Sequence, residues 1–397
     1  MKIIARHPRP LRRLWLTLPP MVALATTSGL AAAREGNVFS LTLSESLMYD
    51  DNVFRLSPET DNRSAIGSDR RDEFISSTTI AVDASKQVGR HNFYGELSRN
   101  FVLFQEFRRL NYTGENDRLG WSGTFGAENN WDAYFKRTRT QSDFADLQRA
   151  LSNVLTSDTL GLSMSMRLAK DFVLRPSIYQ DEYTNTADEK KNGDGKAHSV
   201  SLNLGYRPYT GNVIEAQFRH TDRDYDIGGG FVQNETGVLG TWVPSGTSML
   251  ELRAAVLQQD AKSGRNNGNA DFRQVVGHAS YRWRPTGASL LNFRIFRDIS
   301  LVNIGSEQDT VARGITASWT WTPLAKVKFD TTYDYRKRTF PQISLRDRTR
   351  TAGLTAAYLP TPSFSVQAGI KNERRHADPS LRGYKDQNYS LVLQYSF

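Results

Sequence analysis

The residues of this chain best suited to acid-base or metal chemistry are its six histidines, His7, His91, His198, His220, His278 and His376. None has a partner spaced to share one helix face: neither H-x-x-x-H nor H-E-x-x-H occurs, and no G-x-S-x-G turn presents a serine nucleophile. His220, followed by Asp222 and Asp224, is a grouping that a hydrolase at a barrel rim could use, yet TDRDYDIGGG also reads as an ordinary hydrated loop. Asp50, Asp51 and Asn52 offer oxygens of the type that Ca2+ takes, but one short oxygen cluster does not make a site. With no cysteine in the chain, thiol nucleophiles, thiolate metal sites and disulfides are excluded. The expectation is a protein that is not an enzyme and needs neither metal nor cofactor.

Arginine offers a different chemistry, because its fork binds carboxylates and phosphates at two points. What matters is which elements hold the arginines. From Val38 onward the chain repeats segments of about ten residues in which apolar and polar positions alternate, the mark of a strand with one face of each kind. Leu160, Leu162, Met164, Met166 and Leu168 alternate with Ser163, Ser165 and Arg167, and the chain ends Tyr389, Leu391, Leu393, Tyr395, Phe397.

Between segments, short breaks alternate with long polar ones. The short ones fall near 88–90, 127–129, 169–171, 207–212, 244–247, 284–288, 322–326 and 359–362. The long ones fall near 50–72, 108–116, 138–157, 181–197, 221–230, 259–270, 298–309, 336–348 and 372–386. Eight short turns and nine long loops make seventeen connections, hence eighteen strands with both ends on the short-turn side. That is the plan of a transmembrane antiparallel β-barrel of the bacterial outer membrane, with short periplasmic turns and long extracellular loops. It also accounts for a mean hydropathy of -0.54, since only one strand residue in two faces lipid. A soluble sandwich or propeller predicts neither the alternation of loop length nor strands able to cross a bilayer.

Two further signals agree. Strands descending to the short-turn side finish at Tyr206, Trp242, Trp283, Trp321, Tyr358 and Phe397, as an interfacial aromatic girdle requires. Residues 1–33 hold Lys2, Arg6, Arg9, Arg12 and Arg13 and no acid, then an apolar stretch and Ala31-Ala32-Ala33. This reads as a signal peptide, leaving 34–397 as the barrel. Without it the count of 51 basic and 42 acidic residues becomes 46 and 42, and the net charge falls from +9 to +4. Nucleic-acid binding thereby loses its main support.

If the apolar face meets lipid, the other lines a lumen. Parity assigns to it Arg118, Lys136, Arg167, Arg175, Arg219, Arg253, Arg282, Arg294, Lys328, Arg336 and Lys371. The acids assigned with them are Asp83, Glu96, Asp132, Glu215, Glu235, Glu251, Asp330, Asp334 and Glu373. Such a wall either pairs its charges across the ladder or presents them to an anionic or hydroxylated solute. Eighteen strands enclose more space than wall side chains fill. The segment FADLQRALSNVL has Phe144, Leu147, Leu151 and Val154 at helical spacing; the pattern predicts a helix over 144–155, either folded inward as a constriction or capping a surface loop.

Residues 49–56, YDDNVFRL, and 144–156, FADLQRALSNVLT, resemble the EpsL-type β-barrel proteins encoded with exosortase-linked exopolysaccharide operons. The resemblance implies an outer-membrane channel that exports exopolysaccharide from periplasm to cell surface, with polymer and periplasmic export proteins as partners. Its architecture would be comparable to the 18-strand alginate exporter, without a tetratricopeptide scaffold. The terminal Tyr395-Ser396-Phe397 is similar to the signal that the barrel-assembly machinery reads. The alternatives are a passive porin for small solutes, and a structural barrel with a closed lumen whose loops bind a partner.

Overall fold

The computed structural model describes residues 39–208, 211–262, 271–303, 307–340, 345–378 and 382–397. The leader 1–33 lies outside the described residues. The first half of the wall is β1 (Phe39–Asp50), β2 (Glu73–Val88), β3 (His91–Phe104), β4 (Tyr112–Phe125), β5 (Asn129–Gln141), β6 (Val154–Ala169), β7 (Phe172–Asn185), β8 (Gly195–Tyr206) and β9 (Val213–Tyr225). The second half is β10 (Gly230–Ser245), β11 (Ser248–Ala261), β12 (Phe272–Thr286), β13 (Ser289–Asn303), β14 (Glu307–Leu324), β15 (Val327–Phe340), β16 (Leu345–Thr361), β17 (Phe364–Asp378) and β18 (Tyr384–Ser396). Each strand pairs antiparallel with its sequence neighbours, and β1 pairs with β18 from Thr42 opposite Ser396 to Asp50 opposite Asn388. The sheet is therefore a closed 18-strand barrel whose backbone groups are satisfied within the ladder, as hydrocarbon demands.

Apolar side chains cover the outside. Leu97, Leu119, Leu160, Ile178, Ile214, Val238, Ile295 and Leu354 are exposed, and below them Tyr206, Trp242, Trp283, Trp321, Tyr358 and Phe397 are exposed at the short-turn rim. Trp319, Trp321 and Phe329 stack there across two strands, with centroids 5.7 and 5.6 Å apart.

The strands are longer than the alternation predicts, 12 residues in β1 and 18 in β14 against about ten. Crossing the bilayer takes only roughly 9–11 residues. The surplus stands above the lipid on the long-loop side, where both strand faces meet polar surroundings and alternation fades although the ladder continues. Thr221 to Asp224 and Arg346 to Arg348, expected in loops, are strand. The predicted helix over 144–155 is likewise corrected: α2 covers only Phe144–Leu147. It begins at Asp143, whose side chain accepts a hydrogen bond from the Ala145 amide, and stops at Gln148 with φ 51°. Val154 already belongs to β6, so its place in the apolar pattern reflects strand packing.

The main buried apolar cluster lies at the long-loop end. Val53, Phe54, Leu56 and Ile66 from the β1–β2 connection, which carries helix α1 (Asn62–Ile66), pack with Phe107, Leu110 and Phe144. Phe54 meets Phe107 and Phe144 edge-on, at centroid distances of 4.7 and 5.0 Å. Each such ring removed from water contributes roughly 1.5–3 kcal/mol, which holds these loops over the mouth.

Candidate functional site

Wall register places Glu96, Arg118 and Lys136 side by side on β3, β4 and β5, alternating with the exposed Leu97, Leu119 and Phe135. The other predicted wall charges alternate in the same way with apolar neighbours: Arg219 with Phe218, Arg253 and Glu251 with Leu252, Arg282 with Trp283, Arg294 with Ile295, Glu215 with Ile214, and Lys371 with Ile370.

Most of these charges are engaged. Arg118 donates to Asp132 at 3.3 Å and to the Tyr94 hydroxyl at 3.3 Å, with its guanidinium 4.2 Å from the Tyr134 ring centre. The two rings lie along the wall because the residues opposite them, Gly120 and Gly161, lack side chains. A Cβ there would fall 2.1 Å from the Tyr94 ring and 2.7 Å from that of Tyr134. Arg175 pairs with the fully buried Glu215, and Arg253 with Glu235. Glu251 meets His278 at 3.0 Å, Lys328 meets Asp330 at 2.7 Å and Lys371 meets Glu373 at 2.9 Å. Arg294 and Arg336 reach Asp298 and Asp334 more loosely, at 3.6 and 3.9 Å. Arg167 departs from the expected role. It folds over the β6–β7 turn, onto Glu128 and the Ala169 and Lys170 carbonyls, and caps the periplasmic rim. Among the described residues, Lys136, Arg219 and Arg282 make no ion pair; Arg282 donates to Asn292 at 3.3 Å.

Above this wall the lumen is bridged. The ring order puts β5 and β6 on the far side of the barrel from β15 to β17, yet α2, between β5 and β6, touches those strands. Arg338 of β15 donates to the two Asp146 carboxylate oxygens at 2.9 and 2.7 Å, and Arg375 of β17 to Asp146 at 3.1 Å and to the Ala145 carbonyl at 2.7 Å. Arg382 donates to the Asp146 carbonyl at 2.6 Å. Both wall arginines also hold the buried Asp347, Arg338 at 2.8 Å. Burial by itself would raise the Asp146 pKa; Arg338 first, then Arg375 and Arg382, outweigh it and hold the carboxyl well below the usual carboxylate range. Of the predicted constriction residues, Phe144 enters the mouth cluster, whereas Leu147 and Leu151 stay half-buried outside it.

The β1–β2 loop braces the bridge. Arg55, held at φ 58°, donates to Asp50 at 2.9 Å and to Asp386 at 2.9 Å, and Asn388 donates to both carboxylates at 2.9 and 3.0 Å. Gln148 donates to the Arg55 carbonyl at 2.7 Å. Asp50, Asp51 and Asp386 bring carboxylate oxygens within 4.8 Å of one another. Between Asp50 and Asp386 the positive charge comes from the Arg55 guanidinium. In the His220 grouping, His220 bonds Asn234 at 2.8 Å, while Asp222 and Asp224 pair with Lys262.

Sequence reasoning missed Asp146, Arg338, Arg375 and Asp347. Parity contained half the signal, since Arg338 follows Arg336, and Arg375 follows Glu373, by two residues on the same face. Nothing in the sequence pairs them with an aspartate about two hundred positions away.

No protein-family model matches the chain, and no curated protein matches it. Solved structures do. Pseudomonas aeruginosa OccK3 (OpdO) superposes with a TM-score of 0.51 at 12% identity, over 90% of this chain and 95% of that one. P. aeruginosa OpdK gives 0.52 at 10%, over 90% and 99%, and P. aeruginosa OccK2 (OpdF) in complex with glucuronate gives 0.51 at 12%, over 91% and 98%. The fold is that of an outer-membrane porin. At such identity the likeness is one of architecture, and the porin fold with its apolar belt sets the protein in the bacterial outer membrane.

Proposed function

We propose that the chain is a porin for small anionic or hydroxylated solutes, with the α2 bridge setting the aperture and the wall beneath it selecting the cargo. The observation that carries this reading is the clamp of Asp146 by Arg338 and Arg375 across the lumen. A bridge fixed by buried ion pairs suits compact solutes and stands in the way of a continuous polymer. Below it, Lys136, Arg219 and Arg282 make no ion pair among the described residues, and Arg118 lies over the Tyr94 and Tyr134 rings as a further guanidinium on the wall. Glucuronate and vanillate, bound in the OccK2 and OpdK structures, are both carboxylates, which supports an anionic cargo here.

The test is ion selectivity and solute flux in planar bilayers and liposomes. The native barrel should favour anions, and Arg219→Gln with Arg282→Gln should lower that preference several-fold with normal insertion, because lumen substitutions leave the lipid-facing surface intact. Arg253→Gln, which strands Glu235, should instead reduce stability. Unchanged selectivity in the double variant would remove the unpaired arginines from the mechanism.

A second reading is export of exopolysaccharide, as the EpsL-type resemblance implies. It is favoured by one observation: the YDDNVFRL stretch supplies Asp50, Asn52, Phe54 and Arg55 to the mouth. Polymer passage would require the bridge to swing aside, with the arginine wall replacing water around sugar hydroxyls, and with periplasmic export proteins as partners. Deleting the gene should then reduce surface exopolysaccharide without abolishing its synthesis; unaltered surface polymer would leave the small-solute reading alone.

A further inference from the structure

The outer face of the barrel carries charge as well, and its two sides differ. On β3 to β9 each outward cation named here meets an acid: Arg99 with Asp117, Arg137 with Asp158, Arg139 with Glu115, Lys196 with Glu182. On β13 to β17 the ladder instead sets Arg297 opposite Arg313, Arg313 opposite Lys337, Lys337 opposite Arg348, and Arg348 opposite His376. One step nearer the membrane, Arg350 lies opposite Arg374, and Arg374 opposite Lys385. Among the described residues none of these cations makes an ion pair. Asp378 stands one step further up, opposite Arg346.

Like charges directly opposite, with Cβ atoms about 5 Å apart, destabilise a sheet. A row of four permanent cations across four strands therefore calls for an anion from outside the chain. Its position says which. The lower row continues sideways into Tyr335, Ile315 and Ile295, and Leu354, Ile370 and Tyr389 lie beneath it, so the cations sit on the upper edge of the lipid-facing belt. A ligand here has acyl chains against the belt and its head against the arginines. Neighbouring strands are about 4.8 Å apart, which lets two guanidinium groups share one phosphate.

We propose that the outward basic ladder on β13 to β18 binds the phosphorylated sugar headgroup of an anionic glycolipid in the outer leaflet. This holds whatever the lumen conducts. The test titrates the purified full-length barrel in detergent with bis-phosphorylated lipid A, dephosphorylated lipid A and inorganic pyrophosphate, read by native mass spectrometry. Bis-phosphorylated lipid A should bind best, and Arg348→Gln, Arg350→Gln and Arg374→Gln together should weaken it by about tenfold or more, as loss of several charge-assisted bonds requires. Arg137→Gln, on the paired side, should not. Equal binding of the dephosphorylated lipid would overturn the proposal, as would a triple variant with native affinity. Displacement by pyrophosphate at equal concentration would overturn it too, by marking a free-anion site. The lipid series on native protein decides the matter even if the variant does not fold.

Discussion

The Asp146→Ala variant should conduct several-fold more current per channel than the native barrel. Asp146 is the point at which α2 is held to the opposite wall, and its carboxylate takes three arginine hydrogen bonds. Removing one member of a buried ion pair costs about 3–5 kcal/mol, because the partner charge stays behind. Here Arg338 and Arg375 keep Asp347, so the wall survives, while the loop loses its ion pairs and keeps only the Arg375 bond to the Ala145 carbonyl and the Arg382 bond to the carbonyl of residue 146. Phe144 and Gln148 still tether it near the β1–β2 loop, so the bridge should swing rather than unfold. The pH dependence follows with its sign. A carboxyl whose folded pKa lies below its ordinary 3.8 contributes stability that is complete above that value and is lost only as pH falls through the lower, folded one. The Asp146 clamp should therefore contribute no change in conductance from neutrality to about pH 4. Native-like current from Asp146→Ala, or stepwise opening of the native channel near pH 5, would show that the Asp146 clamp does not limit flow.

Replacing Tyr395 and Phe397 together by Ser should remove most of the protein from the outer membrane and leave precursor in the periplasm. The two rings meet at 4.6 Å on the outer face, Phe397 is 64% exposed, and its amide donates to the Leu41 carbonyl at 2.8 Å. They lie at the β1–β18 seam, on the strand that closes the ring, and they are exposed. Their loss therefore acts on recognition by the assembly machinery before it acts on the finished fold. Cell fractionation and the heat-dependent shift in gel mobility read the outcome. Normal surface levels of the double variant would mean that the terminal strand is not read as a signal.

Strand number, the side of each turn and the inward or outward sense of the wall residues were legible in the sequence because period two is a local property. Leu97 next to Glu96, or Ile370 next to Lys371, declares both faces at once. Strand length was hidden where polar residues occupy both faces, as at Arg346 to Arg348. The helix over 144–155 was overread because Val154 and Leu155 continue the apolar spacing for reasons that belong to β6. The clamp was illegible for a different reason: one aspartate in a loop and two arginines on distant strands carry no shared pattern, and only ring closure makes them neighbours.

That closure also fixes an order of events. The Asp50, Arg55, Asp386 and Asn388 network draws on β1 and the loop that follows it, and on β18, which stand at opposite ends of the growing sheet. Until those edges meet, Arg55 lacks Asp386, and Gln148 lacks the fixed carbonyl on which α2 leans. An unfinished sheet thus has an open, wet interior, and its loops become a barrier only when the last strand pairs with the first. Leakage through a half-built wall and obstruction of the finished pore are separated in time by the same seam.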